Sequence, residues 1–583
     1  MARTPNYDKH PFVLCGDAEQ CAGGWDAIAA RLPKAGLLCV ESYPGADVGS
    51  IAQELARRLA PAEMIDVREL YRPATELREL FASYLTDDRV FGRMNGFTIA
   101  DYFADGVLEV ARDRVEAATS GALTLVIGPG ASLLARPGAV LVYADMARWE
   151  IQLRFRSSRL GNLGMANETG DFASKYKCGY FLEWRAADRL KKQVWERADF
   201  FLDANDAARP LMIAGEVLRS SLARVVRQPF RLVPYFDPGP WGGHWMEEVC
   251  DLPKDKPNHA WCFDCVPEEN SLVLGFGEKR FEIPAIDLVF SHPRELLGNP
   301  VHARFGAEFP IRFDLLDTMG GGNLSLQVHP LTEYIQEEFG MHYTQDESYY
   351  MLDAGSDAKV YLGLREGIDP DAMAADLRKA QEGDVEFAAA RYVEQWPAKR
   401  HDHFLIPAGT VHCSGKDSMV LEISATPYIF TFKLWDWGRL GLDDRPRPIH
   451  IEHGLANIQW NRTTKWTRSN LVNQTRPVAE GAGWRAERTG LHEREFIDVI
   501  RYWFTGTAPL ATGKSVQVLN LVQGEEAVVE SPSGAFAPFH LHYAETMIVP
   551  AAVGAWTIRP AGKAEGTECA IVVASVRTGE ECR

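Results

Sequence analysis

Between Gly36 and Leu59 the spacing of apolar positions changes period. Gly36-Leu37-Leu38-Cys39-Val40 is a short unbroken apolar run, the pattern of a strand buried on both faces. Glu41 to Gly49 is a turn-rich loop, and Ser50 to Leu59 places apolar residues at helical spacing. The same order returns at Leu123 to Ile127, where Gly128-Pro129-Gly130 turns and a helix is expected from Ala131. It returns again at Val140 to Ala144, followed by an Arg-rich helix over Met146 to Arg159. Strands alternating with helices predict a parallel sheet, so residues 1–225 read as an α/β domain. From about Pro229 the segments shorten and alternate, rich in Gly, Pro and aromatic residues, which predicts an all-β architecture. Within it Leu331 to Gly340 and Asp369 to Gln381 have helical spacing. Near the C-terminus Val516 to Val522 alternates, and Glu545-Thr546-Met547-Ile548-Val549-Pro550-Ala551 echoes His403-Phe404-Leu405-Ile406-Pro407-Ala408. The echo predicts two copies of one β-barrel unit, over 226–465 and 466–583.

One alternating run carries chemistry. In Leu324-Ser325-Leu326-Gln327-Val328-His329-Pro330 a strand would put Gln327 and His329 on one face, so an amide oxygen and an imidazole converge. Glu347, in Gln345-Asp346-Glu347-Ser348-Tyr349-Tyr350, and His412, in Ile406-Pro407-Ala408-Gly409-Thr410-Val411-His412, are further candidates. Together they offer N and O ligands for a borderline metal with a position left for water or substrate. A lone buried His is more often a hydrogen-bonded core residue, and Gln327 could instead orient His329 from behind. Cys262 and Cys265 form a C-x-x-C with no second pair nearby, which reads as edge-strand residues. His540 and His542 repeat the i, i+2 spacing without a matching Glu and downstream His, so structural roles are expected.

Composition adds limits. A chain of 583 residues is too long for one core. Its 46% hydrophobic and 24% charged residues are ordinary for a soluble globular protein. No apolar run reaches the ~18 residues of a membrane span, and Met1 to His10 lack the apolar core of a signal peptide. The ten cysteines are scattered like free thiols, so a cytoplasmic location is expected. A net charge of −18 argues against nucleic acid or an anionic membrane as partner, but not against a small anionic substrate met by a local cation cluster. An oligomer is compatible with all of this.

The α/β region resembles P-loop kinases of the nucleoside-kinase type. Their phosphate loop needs G-x-x-x-x-G-K-[ST], with Lys reaching the phosphates; here Gly45 and Gly49 stand in the loop without a Lys. The expectation is a degenerate, structural kinase-like domain. Arg148, Arg154, Arg156 and Arg159 would be either a lid or the solvated face of a helix.

Phe230 to Asn461 resembles class I phosphomannose isomerases, zinc-dependent double cupins of jelly-roll fold. The motifs run in order: Trp241-Gly242-Gly243, Phe309-Pro310, Leu315-Leu316-Asp317, the Leu324 to Pro330 run, Asp346-Glu347 before Tyr349-Tyr350, Tyr361-Leu362-Gly363, Ile406 to His412, Val420-Leu421-Glu422-Ile423, and Trp435-Asp436-Trp437-Gly438-Arg439. The resemblance implies Gln327, His329, Glu347 and His412 as ligands of Zn2+. It also implies a hexose phosphate of the mannose 6-phosphate/fructose 6-phosphate kind as substrate, and aldose–ketose isomerisation through an enediol. Lys433 matches a family basic residue that would stabilise charge or transfer a proton, and Arg439 one that would position substrate. The second cupin, 466–583, is expected to be metal-free. Two positions depart: Gln345 and Asp314 stand where the family carries Lys, so neither supplies a cation for a phosphate. That fits an altered sugar substrate. It also fits a non-catalytic metal- and sugar-binding cupin with a pseudokinase-like regulatory domain. A bifunctional kinase–isomerase would need ATP binding by residues 36–59, which the missing Lys argues against.

Overall fold

The computed structural model describes residues 5–117, 121–383, 385–442, 444, 447–490, 492 and 494–579. The chain forms two compact units. One comprises Phe12–Val225 and Glu268–Ser291, the other Met1–Pro11, Val226–Pro267 and His292–Arg583.

The first unit is built on a seven-stranded sheet in the order Cys21–Gly23, Leu211–Ala214, Phe200–Asp203, Val140–Asp145, Gly36–Ser42, Leu123–Gly128, Glu63–Asp66. The last five pair in parallel, and the first two add at one edge in antiparallel fashion. Gly36–Ser42 is buried beyond its first residue, as a central strand covered on both faces must be. Helix Val48–Leu59 buries Val48, Ile51, Ala52, Leu55 and Leu59, and Asp47 caps it by accepting from Ser50 N at 3.0 Å. The helix expected from Ala131 is only a 3-10 turn, Ala131–Leu134, because Pro137-Gly138 follow at once. The helix predicted over Met146 to Arg159 spans Arg148–Arg156; Arg156 and Arg159 are exposed, whereas Arg148 and Arg154 are turned to partners. Arg148 is 2% exposed and bonds Asp188 at 2.6 Å, while Arg154 donates to Gly45 O at 2.8 Å and Asn205 O at 2.7 Å. Lys191, also buried, bonds Asp145 at 2.9 Å and Asp287 at 2.7 Å. A separate sheet of Val13–Gly16, Ser271–Phe276 and Lys279–Pro284 completes this unit.

The second unit contains two antiparallel β-sandwiches, compatible with a cupin-like fold. In the first, one sheet orders His403–Ile406, Glu347–Ala354, Ser418–Ala425, Ile311–Asp317, Trp261–Cys265, Tyr235–Asp237. The facing sheet orders Val393–Pro397, Lys359–Leu364, His412–Ser414, Leu326–Val328, Phe432–Trp435. Helices Thr332–Phe339 and Pro370–Gln381 occupy the two segments of helical spacing. In the second sandwich a six-stranded sheet faces Ala508–Ala511, Ala555–Pro560, Glu526–Glu530 and Phe539–His542. Its interior is apolar, with Leu519, Leu521, Val529, Trp556 and Ile571 fully buried. Trp261–Cys265 pairs on both sides, so Cys262 and Cys265 do not lie on an edge strand, and all nine described cysteines are buried and free. Among the described residues no helix is long and apolar enough to cross a membrane.

Glu41, 2% exposed, ends the central strand of the α/β sheet and accepts from Gly130 N at 2.7 Å and Ser132 N at 2.8 Å. Burial pushes its carboxyl up from 4.5 to about 7, against the pull of those donors. Glu41→Gln leaves one of the two N–H groups facing an amide NH2, at about 1–3 kcal/mol. Because the folded pKa lies above the unfolded one, the Glu41 contribution is fully present below 4.5 and lost as pH rises through about 7. The stability difference between wild type and Glu41→Gln should therefore fall between these values, by up to about 1.4 kcal/mol per pH unit and far enough to close or reverse it, and then level off. Urea melts at acid, neutral and alkaline pH measure it. A gap that does not change with pH would mean that folding leaves the Glu41 carboxyl at its ordinary value.

Candidate metal centre

The register of three short strands builds the site. Gln327 pairs directly with His412 on one side and with Lys433 on the other. Directly paired residues share a face, so Lys433, Gln327 and His412 form one inward row, and His329 follows two residues after Gln327 on the same face. The opposite sheet contributes Glu347, the first residue of Glu347–Ala354.

His329 Nε2 lies 3.0 Å from Glu347 Oε2, and His412 Nε2 lies 2.9 Å from Glu347 Oε1. All three side chains are at most 1% exposed. One ligand atom from each falls within 4.8 Å of the others. Both rings are oriented from behind: His329 Nδ1 meets Phe430 O at 3.2 Å, and His412 Nδ1 meets Thr410 O at 2.8 Å. With Nδ1–H donating to a carbonyl, each neutral imidazole turns its Nε2 lone pair toward a carboxylate oxygen. Two lone pairs at that distance repel unless a cation lies between them, either a proton on each ring or a shared metal ion. The Gln327 amide lies 3.2 Å from His412 Nε2, and a half turn of the amide presents its oxygen as a further ligand. His329 Nε2 and Glu347 Oε1 have no hydrogen-bond partner. This donor set fits a divalent transition metal.

The electrostatics agree. Burial would raise Glu347, but positive charge on the His329 and His412 rings, each carrying a proton, outweighs it and holds the carboxyl well below the usual range. Beside it, strand pairing sets two more inward rows: Arg312, Ser424 and Glu347, then Asp314, Glu422 and Tyr349. Arg312 donates from Nε to Ser424 Oγ at 2.9 Å, lies 3.2 Å from Asp314 Oδ1, and pairs with Glu422 through Nη2. Burial and then Glu347 push Asp314 up to about 6, although Arg312 pulls it down. Burial, Asp314 and Glu347 push Glu422 well up. The upward shifts favour the neutral form of Asp314 and Glu422, and Glu347 is the carboxyl held ionised.

Arg312 is the residue that sequence reasoning missed. Asp314 and Gln345 bring no cation, but Arg312 stands two residues before Asp314 and so shares its face. The alternation in Ile311-Arg312-Phe313-Asp314-Leu315 was the available signal. Gln345 is committed to Glu347 Oε2 at 2.9 Å and Glu422 Oε1 at 3.4 Å. Arg439 does not bond the cluster. It pairs with Asp436 and donates to Asn323 O at 2.6 Å, just ahead of Leu326–Val328. In the second sandwich His540 bonds Glu526 at 2.6 Å and His542 bonds Glu545 at 3.1 Å. If Val549-Pro550-Ala551 is matched to Ile406-Pro407-Ala408, strand pairing puts Gln517 at the Glu347 position, and the same count along the sequence puts Ala555 at the His412 position. Among the described residues, the group of three such side chains close enough to share an ion is His329, Glu347 and His412.

Residues 24–227 match a family described as a domain of unknown function, DUF8485. The chain is similar to mannose-6-phosphate isomerase ManA of Bacillus subtilis, with 22% identity over 303 residues, 52% of this chain and 88% of that protein. It is also similar to mannose-6-phosphate isomerase of Streptococcus mutans, with 23% identity over 318 residues, 54% of this chain and 90% of that protein. Among solved structures, mannose 6-phosphate isomerase from B. subtilis aligns at a TM-score of 0.48 and 19% identity, covering 59% of this chain and 99% of that one.

Purified protein should carry about one equivalent of a divalent metal per chain, and Glu347→Gln or His412→Ala should lose it. Saturating metal at about 100 times its Kd should stabilise the wild type by about 2.7 kcal/mol and leave both variants unmoved. Elemental analysis and thermal melts with and without chelator measure both. Equal metal content in wild type and variants would place any ion elsewhere.

Proposed function

We propose that the protein is a zinc-dependent aldose–ketose isomerase acting through an enediol on a hexose phosphate of the mannose 6-phosphate/fructose 6-phosphate kind, or on a closely related sugar. The observation that carries this reading is the row Lys433–Gln327–His412, which sets a cation directly beside a His/Glu/His cluster. The similarity to mannose-6-phosphate isomerases over about half of the chain supports it.

Zinc held by Gln327, His329, Glu347 and His412 would supply Lewis acidity toward the C1 and C2 oxygens of the sugar. Lys433 would hold positive charge where the enediolate charge develops and would be the group that passes a proton. Arg439 acts through its grip on Asn323 O and Asp436, which fixes the start of the Gln327 strand. Arg312 provides a cation on the opposite sheet, with Asp314 and Glu422 beside it. Carboxylates there accept sugar hydroxyls and repel a phosphate, so the phosphate of a substrate would lie away from that corner.

A second reading, a non-catalytic metal- and sugar-binding protein, is favoured by Gln345 alone, which spends its amide on Glu347 and Glu422. In both readings the α/β unit is a degenerate kinase-like domain without phosphoryl transfer. Its loop lacks Lys, and Asp47 occupies the helix cap.

In deuterated water the zinc-loaded protein should interconvert mannose 6-phosphate and fructose 6-phosphate with deuterium entering at C2, stop on chelation and recover with zinc. Lys433→Ala should lower kcat by about 10²–10³-fold, the scale of losing one preorganised charge partner, with zinc content unchanged. Zinc and sugar binding without exchange for these phosphates or the free hexoses would leave the non-catalytic reading in its place.

A further inference from the structure

We infer that the α/β unit binds a phosphorylated small molecule at the carboxyl edge of its parallel sheet, in a site separate from the metal centre. The topology picks the place. After Gly36–Ser42 the chain crosses to Glu63–Asp66 on one side of the sheet, and after Val140–Asp145 it crosses to Phe200–Asp203 on the other. Adjacent strands whose connections leave in opposite directions open a crevice at their carboxyl ends, where open α/β sheets bind ligands. A cavity of about 740 Å³ lies there, lined by the loops that follow all four of these strands. That volume suits a nucleotide-sized molecule.

The polar lining is one-sided in what it leaves uncommitted. Each acidic side chain is engaged: Asp47 takes Ser50 N and Oγ at 3.0 and 2.7 Å, and Glu150 takes Arg154 Nε at 2.9 Å. Asp206 takes Ala208 N at 2.9 Å and Arg209 Nε at 2.8 Å. Arg154 spends its guanidinium on Glu150, Gly45 O and Asn205 O, which ties the walls together before any ligand arrives. The donors left over belong to Arg68, Arg159 and Arg209. Arg68 binds Asp66 through Nε and Nη2, Arg159 binds Ser157 Oγ through Nε at 2.9 Å, and Arg209 binds Asp206 through Nε. Among the described residues no hydrogen bond uses Arg68 Nη1 or either Nη of Arg159 and Arg209. Among the described residues, the spare guanidinium donors outnumber the one lining carboxylate oxygen without a hydrogen bond, Glu150 Oε2, so the cavity favours a ligand rich in acceptor oxygens, and the guanidinium fork matches phosphate in particular. Ala46, Val48, Leu160 and Ala207 give the organic part an apolar wall. The loop has no Lys to reach a transferable phosphate, so the assignment is binding without phosphoryl transfer.

Calorimetric titration of the full-length protein with inorganic pyrophosphate and with ADP, at about 0.15 M ionic strength, tests the site. The expected result is saturable binding of at least one probe, weakened at least tenfold in Arg159→Ala/Arg209→Ala and unchanged in Arg57→Ala, a control on the exposed side of Val48–Leu59. Melting temperatures of the variants should match wild type, since neither Arg159 nor Arg209 is buried. Glu347→Gln, which disables the metal centre, should bind the probe as wild type does. No heat with either probe at millimolar concentration overturns the assignment. So does binding that survives the double substitution, or that disappears in Glu347→Gln.

Discussion

A carboxylate sealed from water between two imidazoles, each already donating its other nitrogen to a backbone carbonyl, sets the terms for the larger unit. Glu347 cannot shed its charge onto solvent, and an isolated buried carboxylate is strongly unfavourable. The strands that present His329 and His412 must therefore hold their register. A slip of one residue at Leu326–Val328 would turn Gln327 and His329 outward and bring apolar neighbours to face the carboxylate. The strand order that builds the sandwich and the side-chain set that builds the centre are one constraint.

The two sandwiches show what that constraint costs. In the second, the core closes over Leu519, Trp556 and Ile571. Such a core is stabilised by burial at about 25 cal/mol per Å² of apolar surface. The first sandwich gives up part of that gain to hold Arg312, Asp314, Glu347 and Glu422 inside. A buried ionic set of this kind is weak as a source of stability and strong as a selector of geometry. Here the geometry it selects is the one that sets Glu347 between His329 and His412.

What the sequence made legible follows physical scale. Apolar runs at 36–40, 123–127 and 140–144 announce three central strands, because a strand buried on both faces is predominantly apolar. Glu63–Asp66 and Phe200–Asp203 are short and mixed, and read as nothing in particular. Single ligand positions stand out because His329, Glu347 and His412 each sit in a distinctive run. Arg312 does not, since its role comes from sharing a face with Asp314 and Glu422, one of them on another strand. The burial of Arg148 was equally hidden: only the fold brings Asp188 to it.

The same distinction accounts for the α/β unit. At the start of Val48–Leu59 the helix dipole and the free N–H groups favour a negative charge, and Asp47 supplies that charge from within the chain. With its own carboxylate installed there, the loop has no use for a Lys and no vacancy for a phosphate at the helix end. The cationic donors around the cavity come instead from the segments after neighbouring strands, at Arg68, Arg159 and Arg209. A search for the glycine-rich loop motif finds only a loss, because it looks for anion recognition in backbone and one lysine. In this fold the capacity to recognise an anion lies in side chains scattered over nearly a hundred and fifty residues, roughly the size of a whole domain, and only the crossing of the chain at the sheet's switch point draws them together.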